Sequence, residues 1–171
     1  MFPASRACIC INARNGKRIN TDIVKGDPAP WPKSGTSDIA IGHLSKEMFL
    51  AVNEPWHGNE IVGYRKQVSG WNREVIDNTL VDGHMVVASG FDGDKRDEIV
   101  AGMRRAPQRV YLHSYEGEKW NRSTLDQGIP AATCDTADLN ADGRPDIVCI
   151  CMATHNLRWY ENLGPAKSTR R

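Results

Sequence analysis

Residues 120-WNRSTLDQGIPAATCDTADLNADGRPDIVCIC-151 form one copy of a motif that the chain repeats. The preceding copy, 71-WNREVIDNTLVDGHMVVASGFDGDKRDEIVAG-102, shares the opening Trp-Asn-Arg, an acidic loop and the apolar run that follows this loop. A degraded third copy, 38-DIAIGHLSKEMFLAV-52, lies further upstream. Repetition at a near-constant spacing indicates an array of equivalent structural units. The sequence therefore predicts a modular fold.

The apolar stretches of each copy are typical of β-strands, because they are short, rich in β-branched or aromatic residues and often alternate with polar residues. Within one unit we predict four strands, at 84–89, 98–102, 109–115 and 120–126. A period of about 50 residues with four short strands is the spacing of β-propeller blades. We therefore predict an all-β fold of four-stranded antiparallel β-propeller blades, with about three blades present.

The domain organisation follows from these repeats. Residues 1–16 are expected to be irregular, 17–164 to form a partial propeller with units at about 17–70, 71–119 and 120–164, and 165–171 to form a basic tail. The segment 17–24 resembles the last strand of a blade. Since three blades do not easily close a ring and open sheets have exposed edges, we expect either missing blades or self-association with another copy. Exchange of the N-terminal strand would then complete the last blade.

Charge and composition limit the classes of binding partner that we expect. A net charge of +1 gives no reason to expect a nucleic-acid partner. The mean hydropathy of −0.51 and the lack of any apolar run near the length of about 20 residues that a bilayer requires give no reason to expect a membrane. We find no signal peptide at the start of the sequence, which favours a cytoplasmic location.

The five cysteines are Cys8, Cys10, Cys134, Cys149 and Cys151. An odd number argues against a closed disulfide framework. Cys149 and Cys151 lie two residues apart in an apolar run, so on a strand they face the same side. We expect both to be small, buried core residues.

The loop 138-DLNADGRPD-146 carries oxygen ligands at alternate positions, a glycine and a final acid. This pattern suits a hard cation such as calcium, which takes about six to eight oxygen ligands. The predicted ligands are Asp138, Asn140, Asp142, the backbone carbonyl of Arg144, and Asp146. An EF-hand requires a glutamate where this chain has Cys149, so the loop is not an EF-hand. The alternative is an Asp/Asn-rich turn that binds no metal.

The equivalent loop, 90-GFDGDKRDE-98, predicts a weaker calcium site formed by Asp92, Asp94 and Glu98. Lys95 places a positive charge at its tip. The first copy retains only Glu47 and is expected to bind no metal. Both acidic loops connect two strands of a blade, so we expect the cation to stabilise the fold rather than to take part in catalysis.

Loops of the form D-x-[DN]-x-D-G-x-x-[DE]-[IV] between propeller strands resemble FG-GAP or VCBS repeats, the integrin-alpha N-terminal type of blade, over residues 17–164. The stretches 55-PWHGNEIVGY-64, 82–102 and 154-THNLRWYEN-162 are most similar to the propeller domain of aldos-2-ulose dehydratases and their bacterial relatives. This resemblance implies a seven-bladed propeller and lyase activity on keto-sugars. The 171 residues are too few for seven such blades, so the chain is expected to be a partial propeller.

Three histidines are predicted to lie at the end of the blades opposite to the acidic loops. His84 opens the innermost strand of its blade, and His57 and His155 lie in loops between the second and third strands, as does Arg105. Imidazoles that converge on one site can bind zinc or another divalent metal, or act as a general base in a β-elimination. Each histidine can instead be an ordinary turn residue.

Two functions remain open at this stage, and the third possibility is an inactive fragment of such a propeller. The first is a calcium-stabilised propeller that serves as a binding scaffold for a protein or a carbohydrate. The alternative is a metal-assisted lyase that dehydrates a keto-sugar such as 1,5-anhydrofructose. In that alternative His57, His84 and His155 bind the metal or transfer the proton, and Arg105 stabilises the developing charge.

Overall fold

The computed structural model describes residues 9–14, 17–23, 29–30 and 33–164. Strands are the only regular elements in these residues, and they form three antiparallel sheets of three or four strands and one separate hairpin. The all-β prediction, with blades built of antiparallel strands, is confirmed. Within the described ranges, no helix is long and apolar enough to cross a membrane.

Each sheet is a meander in which neighbouring strands follow one another along the chain, and we call the three sheets blades 1 to 3. Blade 1 contains β3 (Ile39–Leu44), β4 (Glu47–Glu54), β5 (Glu60–Gln67) and β6 (Gly70–Asp77). Blade 2 contains β7 (Gly83–Ser89), β8 (Glu98–Met103), β9 (Arg109–Glu116) and β10 (Lys119–Gln127). Blade 3 has three strands, β11 (Ala131–Ala137), β12 (Asp146–Cys151) and β13 (Asn156–Tyr160).

The N-terminal part differs from the sequence expectation. Ile9–Arg14 forms strand β1 where an irregular segment was expected, and it pairs with β2, Lys17–Asp22. The predicted last-strand segment is thus a strand, but its described partner is β1 rather than a blade. Residues 1–8 and the predicted basic tail at 165–171 lie outside the described residues.

Hydrophobic side chains from facing sheets form the core between successive blades. Phe49 and Ile61 of blade 1 pack with Ile99 and Met103 of blade 2, and all four are buried. Between blades 2 and 3, a second cluster includes Met85, Val100, Val110 and Ile147. The innermost strand β7 contacts both β3 and β11. The first strands of the three blades therefore lie side by side, as they do around the axis of a propeller.

A buried polar link also joins blades 1 and 2. Asp77, the last residue of β6, accepts a hydrogen bond from Nε2 of the buried His113 at 2.9 Å and another from Arg122 at 3.1 Å. The Arg122 guanidinium also lies over the ring of Tyr111, 4.5 Å from its centroid. This link ties the end of one blade to the two outer strands of the next.

The cysteines of blade 3 differ from the expectation of buried free thiols. Cys134 on β11 and Cys149 on β12 are register partners with Cα atoms 4.1 Å apart, and they form a disulfide. Such close approach is typical of a pair without mutual backbone hydrogen bonds in an antiparallel ladder. The sequence did not reveal this pairing because it depends on the register of two strands, and the two cysteines are 15 residues apart in the chain. Cys151 is a buried free cysteine, as expected.

Candidate functional site

The loop between β7 and β8 gathers three acidic side chains. Asp92, Asp94 and Glu98 each offer a carboxylate oxygen, and these oxygens lie within 4.8 Å of one another. Backbone hydrogen bonds fix the loop, because Asp92 accepts from the amide of Asp94 at 2.9 Å and Glu98 accepts from the amide of Phe91 at 2.7 Å. A set of carboxylate oxygens at this separation is a donor set that suits calcium.

Glu98 is the buried member of this cluster, with 3% of its surface exposed. Burial, together with the negative charges of Asp92 and Asp94, raises the pKa of its carboxyl group to about 7 despite two backbone hydrogen bonds that lower it. The deprotonated carboxylate is therefore costly in the protein without a cation. A divalent ion among the three carboxylates would remove that cost by supplying the compensating charge.

The loop between β11 and β12, which the sequence ranks as the stronger site, satisfies its carboxylates internally. Asp138 accepts hydrogen bonds from the amides of Asp142 at 3.0 Å and Gly143 at 2.8 Å. Asp146 is fully buried, and the amides of Asn162 and Leu139 hold the pKa of its carboxyl group below its usual range. Gly143 has a φ of 87°, a conformation that favours glycine.

Both acidic loops contain an arginine two residues after the central aspartate. Arg96 forms an ion pair with Asp94, and Arg144 forms one with Asp142. A cation in either loop would have to displace this guanidinium from the carboxylate. Asn140, through its Nδ2 atom, donates to Asp142 at 3.1 Å. The residues of 138–146 thus keep the ligand types that calcium needs, and binding through them, including the Arg144 carbonyl, stays a prediction.

A second polar cluster lies at the end of the blades opposite to these loops, because it is formed where β7 starts and where β4 and β8 end. His57 and His84 meet there, with ring centroids 4.8 Å apart. Nδ1 of His57 lies 3.2 Å from Asp82, and Arg104 donates to the same aspartate at 3.1 Å. Gly83, between Asp82 and His84, has no room for a side chain, since a Cβ at that position would lie 2.2 Å from Nδ2 of Asn53.

Hydrogen bonds assign opposite roles to the two imidazoles. Burial and the adjacent Arg104 cation lower the pKa of His57. The neutral ring accepts at Nδ1 from Arg104 and carries its proton on Nε2. Nδ1 of His84 lies 2.6 Å from the carbonyl oxygen of Ala132, so it carries a proton, and Nε2 is the acceptor in the neutral tautomer. The cluster therefore offers one imidazole donor and one imidazole acceptor side by side.

The other predicted residues are placed around this cluster. Arg105 is 80% exposed and its Nε lies 3.2 Å from Asp82. His155 lies apart in the turn before β13, where it lines a cavity of about 460 Å³ on blade 3. Ala132 lines the same cavity and accepts the hydrogen bond from His84. The structure thus brings together His57, His84 and Arg105, and it leaves His155 at a neighbouring surface.

Sequence reasoning did not assign a role to Asp82 or Arg104. Asp82 lies beside His57 of blade 1 and forms ion pairs with both arginines of blade 2. It has a φ of 54°, which is unusual for a residue other than glycine. Trp56 stacks on His57 with ring centroids 3.8 Å apart. The available signal was the Asp-Gly-His sequence at the start of β7, which places a carboxylate directly before the innermost strand.

Comparison with known protein families supports the repeat interpretation. Residues 90–149 match the family model of the FG-GAP-like repeat. This segment begins at the first acidic loop and contains the second. Together with the antiparallel sheets, the match supports an FG-GAP β-propeller-type domain. No curated protein matches the chain, so the resemblance to aldos-2-ulose dehydratases gains no support from a relative.

Proposed function

We propose that this chain is a calcium-stabilised FG-GAP β-propeller-type scaffold that binds a carbohydrate ligand at the histidine end of its blades. The observation that carries the proposal is the separation of two polar sites at opposite ends of the same strands. The acidic loops join the first two strands of blades 2 and 3, whereas the cluster around Asp82 lies at the junction of blades 1 and 2.

The acidic loops suit a structural role because they are held by their own backbone and by neighbouring blades. Asp97 accepts a hydrogen bond from the His43 amide of blade 1 at 2.7 Å. Asn162 donates from its side chain to the carbonyl of Phe91 at 2.8 Å, which joins blade 3 to the loop of blade 2. A cation held by Asp92, Asp94 and Glu98 would therefore reinforce a point where the blades meet.

The cluster at the opposite end suits a ligand that is rich in hydroxyl groups. The partly exposed indole of Trp56 provides an aromatic surface beside the donor and acceptor atoms of the two histidines. Aromatic surfaces combined with a few oriented polar groups are typical of small-molecule sites. Arg105 extends into solvent and would contact an anionic group of the same ligand.

A glycan array screened with the purified protein, followed by calorimetric titration of each hit, tests this proposal. We expect Trp56→Ala and Arg105→Ala to weaken binding about 10-fold or more, since each removes a contact worth more than about 1.4 kcal/mol. Arg158→Ala, which changes a half-exposed arginine on β13, is the matched control and should bind normally. Glycan binding that is the same in all three variants would rule out this site.

A second candidate, the dehydration of a keto-sugar, is favoured by the complementary imidazoles. His84 Nε2 would take the proton from the carbon beside the carbonyl, while His57 Nε2–H polarises that carbonyl. The protonated His84 would then return this proton to the hydroxyl on the next carbon, which leaves as water as the carbon–carbon double bond forms. Among the described residues, the group with metal-ligand spacing is the one in the 90–98 loop. We therefore assign proton transfer to the histidines and do not propose a zinc ion there.

Ultraviolet absorbance of the conjugated product formed from 1,5-anhydrofructose measures this activity. We expect His84→Gln to abolish turnover, and His43→Gln, which changes an exposed histidine at the opposite end, to leave it unchanged. If the unmodified protein forms no product, the lyase candidate is excluded while the binding proposal stands.

A further inference from the structure

The two terminal blades each present one broad face that no other described blade covers. In blade 3 this face carries Ile150, Leu157 and Trp159, which are 50%, 71% and 49% exposed. In blade 1 it carries Ile39, Ile41 and Met48, which are 43%, 60% and 41% exposed. Clusters of large exposed apolar side chains mark interaction surfaces.

The register shows what the blade 3 face is built to contact. Ile150 of β12 pairs with Leu157 of β13. The equivalent pair in blade 2 is Gly102 of β8 and Val110 of β9. In blade 2, Val110 is fully buried against blade 3. Leu157 therefore occupies a position that, one blade earlier, packs against the next blade.

The blade 1 face is the complementary half of the same interface. In blade 1, Ile41 pairs with Leu50, which pairs in turn with Tyr64. In blade 2, Val86 pairs in the same way with Ala101, which pairs with Tyr111. Val86 is 2% exposed and packs against blade 1. Ile41 therefore occupies the position that, one blade later, packs against the preceding blade. The outer part of this face is already buried, with Ile23 packed against it.

We infer that the occupant of both faces is a second copy of this chain, joined head to tail. The blade 3 face of each copy packs on the exposed part of the blade 1 face of the other, around Ile39, Ile41 and Met48. This packing repeats part of the contact that the chain makes between its own successive blades. Two copies then supply about six blades, inside the range of about four to eight that closed propellers have. The dimer axis coincides with the propeller axis, and both interfaces are heterologous.

Sedimentation velocity over a range of concentrations tests this inference, with the expected dimer at twice the 19.0 kDa of the chain. Leu157→Asp and Ile41→Asp each place a charge in the interface and should weaken dimerisation about 100-fold or more. Val68→Asp, at a fully exposed residue in the turn between β5 and β6, is the control and should remain dimeric. Circular dichroism confirms that each variant stays folded, because all three side chains are exposed.

Mixing the two interface variants separates a head-to-tail ring from a face-to-face dimer. Leu157→Asp and Ile41→Asp chains together retain one intact interface, so the mixture should regain dimers that neither variant forms alone. In a face-to-face dimer only one of the two substitutions would have an effect. A protein that stays monomeric at all concentrations, or a dimer that tolerates either substitution, would overturn the inference. This test does not depend on the ligand or on calcium.

Discussion

Replacing Glu98 by glutamine isolates the role of the buried carboxylate in the 90–98 loop. The pKa of Glu98 is about 7 in the folded protein against 4.5 for the ordinary group. Because the folded state binds the proton more tightly, it loses stability as the pH rises from 4.5 through 7. At about 1.4 kcal/mol per pKa unit, the loss reaches about 3 kcal/mol in the protein without metal. Glu98→Gln removes the titrating group and keeps an acceptor for the Phe91 amide.

We therefore expect the metal-free variant to be more stable than the unmodified protein at pH 8 by up to about 3 kcal/mol, and similar to it near pH 5. This difference corresponds to about 6–12 °C in the melting temperature of a chain of this size. Saturating calcium should reverse the order, since calcium at about 1,000 times its Kd adds about 4.1 kcal/mol to the protein that keeps all three ligands. The lowered pKa of His57 makes stability rise with pH, but this contribution is common to both proteins and cancels in the comparison.

Urea unfolding at pH 5, 6, 7 and 8, with EDTA or with calcium, measures these differences. Glu47→Gln changes the exposed glutamate at the equivalent position of blade 1 and should behave as the unmodified protein does. The reasoning is refuted if the variant and the unmodified protein lose stability in parallel between pH 5 and pH 8 in EDTA. It is also refuted if calcium stabilises both proteins equally.

Two further predictions concern the links that hold the blades. The free energy of unfolding in urea should be about 3 kcal/mol lower for the double variant Cys134→Ser/Cys149→Ser, the value for a 15-residue loop closed by a disulfide. Unfolding of the unmodified protein that is the same with and without reductant would contradict this. Asp77→Asn should lose about 2 kcal/mol because the buried His113 loses its charged acceptor, and a loss below about 0.5 kcal/mol in chemical denaturation would contradict it. Burial opposes ionisation of Asp77, but hydrogen bonds from His113 and Thr79 outweigh it and hold its pKa far below the usual 3.8. The stability that Asp77 contributes should therefore be present above about pH 4 and be lost on acidification, and Asp77→Asn should abolish this dependence.

Much of the blade architecture is predictable from the sequence. In blade 2 the predicted strand 84–89 is observed as Gly83–Ser89 and the predicted strand 109–115 as Arg109–Glu116. The ends of these strands are determined by the local sequence, because the alternation of apolar and polar residues stops at turns that contain Gly, Asp or Asn. The repeat then transfers the same pattern from one blade to the next.

Contacts between residues that are distant in the sequence could not be predicted from it. The disulfide depends on register, and the bonds from Arg104 to Asp82 and from His113 to Asp77 join residues from different strands or blades. The two acidic loops also differ in contacts that the sequence does not show. In the loop with more acidic and amide ligands, Asp138 accepts hydrogen bonds from two backbone amides of the same loop. The loop with fewer ligands groups Asp92 and Asp94 with the buried Glu98.

Calorimetric titration of calcium into the EDTA-treated protein tests the central claim most directly, because it measures whether the acidic loops bind the cation at all. We expect saturable binding that Glu98→Gln and Asp146→Asn each reduce by one ion per chain, with magnesium binding more weakly because it requires stricter octahedral geometry. Absence of calcium binding at millimolar concentration, or binding that both substitutions leave unchanged, would contradict the account.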